Sequence, residues 1–114
     1  MSVDCLFCKI AARQIPAKIV YEDPGVFAFE DIGPQAPIHL LICPRKHIVS
    51  LDDATHEDEL MLGHLQTVAA KLARERNLTE GFRIVINTGR NAGQAVLHLH
   101  LHLLGGRTMR WPPG

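Results

Sequence analysis

Val96-Leu97-His98-Leu99-His100-Leu101-His102-Leu103-Leu104 alternates apolar and imidazole side chains. Successive side chains of a β-strand point to opposite faces, so this run predicts a strand. His98, His100 and His102 would line one face, about 7 Å apart along it. Leu97, Leu99, Leu101 and Leu103 would line the other, which is then core. A solvent-facing polar row would mix in Lys, Thr or Glu; here every polar position is histidine. Two chemistries use such a row. Histidines at i and i+2 can converge on one metal, as in three-histidine zinc hydrolases. Alternatively, the middle imidazole attacks phosphorus while its neighbours orient it and donate to phosphate oxygens. Imidazole suits that role: it is neutral near pH 7, nucleophilic, and a fair leaving group once phosphorylated.

Outward from this strand the sequence supplies a sheet and two helices. Gly105-Gly106 ends the run, and a tail closes on Trp111-Pro112-Pro113-Gly114. Upstream lie a glycine-containing loop, Thr88 to Gly93, and a strand from Phe82 to Asn87. A long helix is predicted from about Glu57 to Arg76, capped by Thr55. Met61, Leu65, Val68 and Leu72 form its apolar stripe, widened by Leu62, Ala69 and Ala73. Asn77 suits its C-terminal end. Ile38 to Cys43 is an apolar strand stopped by Pro44. Asp23-Pro24-Gly25 is a turn joining strands Ala17 to Glu22 and Val26 to Glu30. Asp4 to Arg13 reads as a short helix capped by Asp4 and ended before Pro16. The order α-β-β-β-α-β-β predicts an α+β domain: about five antiparallel strands with one long and one short helix.

The 114 residues allow one domain, residues 1–114, with 105–114 as its tail. A hydrophobic fraction of 46% and a charged fraction of 21% exclude disorder as the main state. Twelve Lys+Arg balance twelve Asp+Glu, so no global basic field exists to hold nucleic acid or a membrane surface. No apolar run reaches the roughly 18 residues of a membrane span. Met1 to Cys8 lacks the cationic and apolar regions of an export signal, so a cytoplasmic location is expected.

Beyond the alternating strand, Cys-Leu-Phe-Cys-Lys-Ile, Phe-Glu-Asp-Ile-Gly-Pro-Gln-Ala-Pro-Ile-His, Pro-Arg-Lys-His-Ile, Gly-Gly-Arg and Trp-Pro-Pro-Gly resemble one family over nearly the whole chain. His98-Leu99-His100-Leu101-His102-Leu103-Leu104 is similar to the signature of the histidine triad (HIT) superfamily. The remaining segments look like its nucleotide-binding branch, which contains purine nucleoside phosphoramidases. The resemblance implies hydrolysis of adenosine 5′-phosphoramidates to AMP and amine. Dinucleoside polyphosphate hydrolysis is the alternative within the superfamily; a nucleotide-binding interaction module with incidental turnover is the alternative outside enzymology.

The resemblance also implies roles. His100 would form a nucleotidyl-imidazole intermediate, and His98 would help set its tautomer and orientation. His102 and His39 would flank the phosphate as donors. Leu6, Phe7, Ile10, Phe29 and Ile32 would surround the base, and Asp31 would hold the ribose. Asn87 and the backbone around Gly93 and Ala95 would meet the phosphate. Phosphoramidases of this branch commonly carry serine where this chain has Ala95, so one side-chain donor is missing here. Trp111 would approach the partner subunit's site, because members of the branch pair as homodimers with continuous sheets. The broad apolar face of the long helix gives a separate reason to expect a dimer. No Asp/Glu cluster near the triad points to Mg²⁺, and no catalytic metal is expected.

Cys5 and Cys8 form a C-x-x-C. Two buried thiols acting as small hydrophobes would explain it. So would a structural Cys₂His₂ zinc site. Some bacterial-type members of the family use such a pair with histidines that correspond here to His47 and His98. Cys43 reads as core.

Overall fold

The computed structural model describes residues 4–114. The export-signal reading of Met1 to Cys8 therefore rests partly on residues outside that range. The chain forms α1 (Leu6–Ala11), β1 (Ile19–Glu22), β2 (Val26–Glu30), β3 (Ile38–Pro44), α2 (Glu59–Glu75), β4 (Phe82–Val85) and β5 (Leu101–Gly105). The five strands make one antiparallel sheet in the order β1-β2-β3-β5-β4. This is the α+β architecture read from the sequence. No helix among the described residues is long and apolar enough to cross a membrane.

Alternation divides the sheet into two faces. Val26, Ala28, Leu40, Ile42, Leu99, Leu101 and Leu103 meet Leu65, Val68, Ala69, Leu72 and Ala73 of α2. Phe27, Phe29, Leu41 and Cys43 point the other way, onto Phe7, Cys8 and Ile10 of α1. Thus α2, 17 residues long, covers one face, whereas α1, six residues long, covers only part of the other. The uncovered remainder is where the histidines lie. The apolar stripe of α2 packs on its own sheet, so the stripe alone does not call for a partner subunit.

Local chemistry sets the element ends. Thr55 forms a capping box with Asp58 ahead of a 3₁₀ turn, His56–Asp58, that leads into α2. Asn77 adopts φ 58°, while Asn77 N–H reaches the Arg74 carbonyl and Leu78 N–H reaches that of Ala73. Those two bonds are the left-handed helix stop expected of Asn77. The short helix is tighter than predicted. Its N-cap is Cys5, whose Sγ accepts from Cys8 N–H, and not Asp4. Arg13 at φ 58° stops it before Pro16 is reached.

The histidine strand needs the largest correction. Only Leu101–Gly105 joins the ladder, paired with Ile38–Ile42 of β3. Residues 96–100 leave it. Leu99 N–H goes to the Ile48 carbonyl, and the His98 ring takes the Pro44 carbonyl. Pro44 has no N–H to extend the pairing. Alternation nevertheless survives from His98 to Leu103, while Leu97, predicted as core, is 61% exposed.

Candidate active site

A cavity of about 360 Å³ opens on the sheet face that α1 leaves uncovered. Its size falls in the range of about 300–1,000 Å³ typical of small-molecule sites. Leu6, Phe7 and Ile10 come from α1, and Phe29, Asp31 and Ile32 from the end of β2 and the loop after it. Asn87, Gly93 and Ala95 come from the β4–β5 connection, and His100 and His102 from β5 and the residues before it. The fold thus gathers eleven sequence-predicted residues around one cavity. Ile15, Pro16, Ala17, Glu30, Leu41 and Val96 also line it, although the sequence reading assigned them no place in the site. Trp111 does not line it; the residue is 82% exposed on the tail. A wider depression of about 580 Å³, from Asn77 to Arg83 and Gly106 to Met109, contains no histidine or cysteine.

Hydrogen bonds fix the tautomers. His100 Nδ1 lies 2.7 Å from the carbonyl oxygen of His98. A carbonyl only accepts, so Nδ1 carries the proton and Nε2 keeps its lone pair. Phe7 packs edge-on against this ring at 5.0 Å between centroids, locking its plane. The backbone N–H of Gln35 donates to His39 Nδ1 at 3.0 Å, which places the His39 proton on Nε2. His39 Nε2 in turn donates to His102 Nδ1 at 2.9 Å. His102 therefore holds its proton on Nε2. Burial pushes the pKa of His39 and of His100 down, and that of His102 down to about 4, so all three are neutral at pH 7. Asp31 commits one oxygen to Gly33 N–H and holds the other 3.4 Å from His39 Nε2.

His98 meets His100 through its backbone. Its ring points away from the cavity, with Nε2 donating to the Pro44 carbonyl at 2.8 Å. Its backbone carbonyl, and not its imidazole, sets the His100 tautomer. The free face, Nδ1, sits 3.3 Å from Cys5 Sγ, 3.6 Å from Cys8 Sγ and 3.2 Å from His47 Nδ1. His47 Nδ1 lies 3.4 Å from Cys8 Sγ. Zinc–sulfur bonds near 2.3 Å and zinc–nitrogen bonds near 2.0–2.1 Å require tetrahedral edges of roughly 3.3–3.8 Å. The donor atoms, all within 4.8 Å of one another, have the separations and the inventory of such a tetrahedron. The bond to Pro44 also leaves the His98 lone pair facing inward, as ligation needs.

The triad does not converge on one metal. His98 belongs with the cysteines and His102 with His39, on opposite sides of His100. Asp31, His39 and His102 are close enough to suggest a second cation site. However, Gln35 N–H occupies His39 Nδ1 and keeps the proton on Nε2, where a ligand would need a lone pair.

Residues 12–109 match the HIT domain model. This chain belongs to the HIT family. An uncharacterized HIT-like protein of Synechococcus elongatus is 54% identical over the full length of both chains. The crystal structure of a HIT family hydrolase from Legionella pneumophila superposes with a TM-score of 0.95 at 53% identity, covering 97% of this chain and 100% of that one. A histidine triad nucleotide-binding protein from Candida albicans superposes at 0.82 with 32% identity, covering 96% of this chain and 83% of that one.

Proposed function

We propose that this HIT protein is a purine nucleoside phosphoramidase. It would hydrolyse the P–N bond of adenosine 5′-phosphoramidates to AMP and amine. The observation that carries this reading is the pair of tautomers facing the cavity: a nucleophilic lone pair on His100 Nε2 beside a proton on His102 Nε2. The likeness to a hydrolase and to a nucleotide-binding protein supports it.

The base would enter between Phe7, Ile10 and Phe29, with the ribose toward Asp31. His100 Nε2 attacks the α-phosphorus, a P–N(His) bond forms and the P–N bond to the amine breaks. The departing nitrogen takes up one proton from solvent and leaves as the neutral amine. Charge that develops on the phosphoryl oxygens is met by His102 Nε2–H, Asn87 and the Ala95 N–H. The nucleotidyl ring carries a positive charge that the His98 carbonyl stabilises through Nδ1–H. Water then attacks phosphorus, the P–N(His) bond breaks, His100 leaves as neutral imidazole with Nδ1–H in place, and the proton lost by the water passes to solvent.

We further assign a structural zinc ion to Cys5, Cys8, His47 and His98. Bound there, it would cross-link α1, the segment after β3 and the triad. The unpaired edge of β4 supports a homodimer with a continuous sheet, in which Trp111 would reach the partner's cavity and select among leaving amines. Three free, buried cysteines fit a reducing, cytoplasmic compartment.

The deciding experiment incubates the protein with adenosine phosphoramidate and, separately, with diadenosine polyphosphates, and measures AMP release. Release from the phosphoramidate is expected. Release from diadenosine polyphosphates alone would move the assignment to the other branch of the superfamily. Release from neither would leave a binding module. Light scattering at micromolar concentration should give a dimer mass; a monomer would reject the paired sheet.

A further inference from the structure

The loop between β4 and β5 has to present the phosphate-facing backbone without any sheet ladder to shape it. Gly89 and Gly93 turn it at φ 83° and 85°, a region that side chains rarely adopt. Two backbone bonds hold its ends, from Gly93 N–H to the Arg90 carbonyl and from Gln94 N–H to that of Gly89. The rest of the restraint comes from one side chain. Gln94 Oε1 accepts from Gly89 N–H at 2.9 Å. Gln94 Nε2 donates to the Val49 carbonyl at 2.6 Å and to the Val96 carbonyl at 3.2 Å.

The Gln94 carboxamide therefore acts as an extra peptide unit. With its own N–H it makes a reciprocal pair with Gly89, and it pins both to the segment after β3. The next peptide N–H along the chain belongs to Ala95. That N–H has no hydrogen-bond partner among the described residues, and Ala95 lines the cavity with His100 and His102.

We propose that Gln94 is a positioning residue: its side chain holds the Ala95 N–H where a substrate phosphoryl oxygen binds. This rests on the nucleotide reading of the cavity. It also accounts for how a chain with alanine at position 95 retains a donor there. A displacement of about 1 Å in such a donor costs on the order of 10²-fold in rate.

The test compares wild type with Gln94→Met and Gln94→Glu. Methionine keeps the size and loses every bond. Glutamate keeps the acceptor for Gly89 but sets a carboxylate oxygen against two carbonyls. Calorimetry measures AMP and adenosine affinities, and melting temperature monitors the fold. Base and ribose are held by other elements, so adenosine affinity should stay within about twofold in both variants. The ratio of AMP to adenosine affinity should fall about tenfold, and kcat on the phosphoramidate about 10–100-fold. A ratio unchanged in the folded variants overturns the inference, whatever the wild type turns over. So does a wild type that binds AMP no better than adenosine, since the loop then presents nothing to a phosphate. Absence of AMP release by wild type overturns the phosphoramidase reading alone.

Discussion

His98 and His102 flank the same residue and differ by one pair of hydrogen bonds. On the His98 side, Nε2–H goes to the Pro44 carbonyl and the Nδ1 lone pair faces two sulfurs and His47. On the His102 side, Nδ1 accepts from His39 and the remaining proton faces the cavity. One ring thereby turns a lone pair to the sulfurs and the other a proton to the cavity, although the sequence repeats the same residue at the same spacing. The tautomer, chosen by what stands behind each ring, divides the work. His100 stands between them and takes its own tautomer from the backbone of the first.

The comparison breaks completely if the middle ring is removed. His100→Ala should lower AMP release from the phosphoramidate by on the order of 10⁴-fold or more, with nucleotide binding retained in calorimetry. Wild-type-like turnover would reject the covalent route.

The His98 side is tested by metal content and stability. Purified protein should contain about one zinc per chain, and Cys8→Ser should lose both the metal and at least ~2–4 kcal/mol of stability in denaturant titration. Metal analysis showing no zinc in protein prepared without chelator would reduce that cluster to buried thiols and rings.

The His102 side predicts a kinetic effect without a metal effect. His39→Phe removes the donor that keeps the His102 proton on Nε2. kcat should fall about 10²-fold, while zinc content stays at the wild-type level. Equal loss of zinc in His39→Phe and Cys8→Ser would show that the two sides are not separate devices.

The smallest expected effect is on the pH dependence of folding. Burial lowers the His102 pKa from the ordinary value of 6.5 to about 4 and lowers that of His39 as well. The unfolded chain takes up these protons first as the pH falls. Stability should therefore decline as the pH falls from about 6.5 toward 4, and this contribution should level off below that. His102→Gln should flatten the decline in thermal melts; an unchanged profile would assign it to other groups.

The two cores were unequally legible. The stripe of α2 and the turn at Asp23-Pro24-Gly25 are local patterns, and the fold follows them closely. Asp23 shows why: its Oδ1 accepts from Gly25 and Val26 N–H, a bond set available within four residues. The ends of the histidine strand were not legible, because Ile48 and the Pro44 carbonyl, distant in sequence, compete for residues 98 and 99. Gln94 carried no signal at all, and Gln35 only as one residue of a family-like segment. A glutamine in a loop is compositionally ordinary, and its importance depends on which carbonyls come within reach.

By itself, the sequence determined the α+β order, the facing of His98, His100 and His102 to one side, and a C-x-x-C on a short helix, because side-chain direction and helix spacing follow from neighbouring residues. His39, His47 and Asp31 could be joined to those residues only through a family likeness. The tertiary structure alone decided which ring nitrogen carries the proton: His98 turns a lone pair to the cysteines, His102 a proton to the cavity and His100 a lone pair to the cavity. A ring's proton goes where its hydrogen-bond partner permits, and here those partners come mainly from segments far away in the chain.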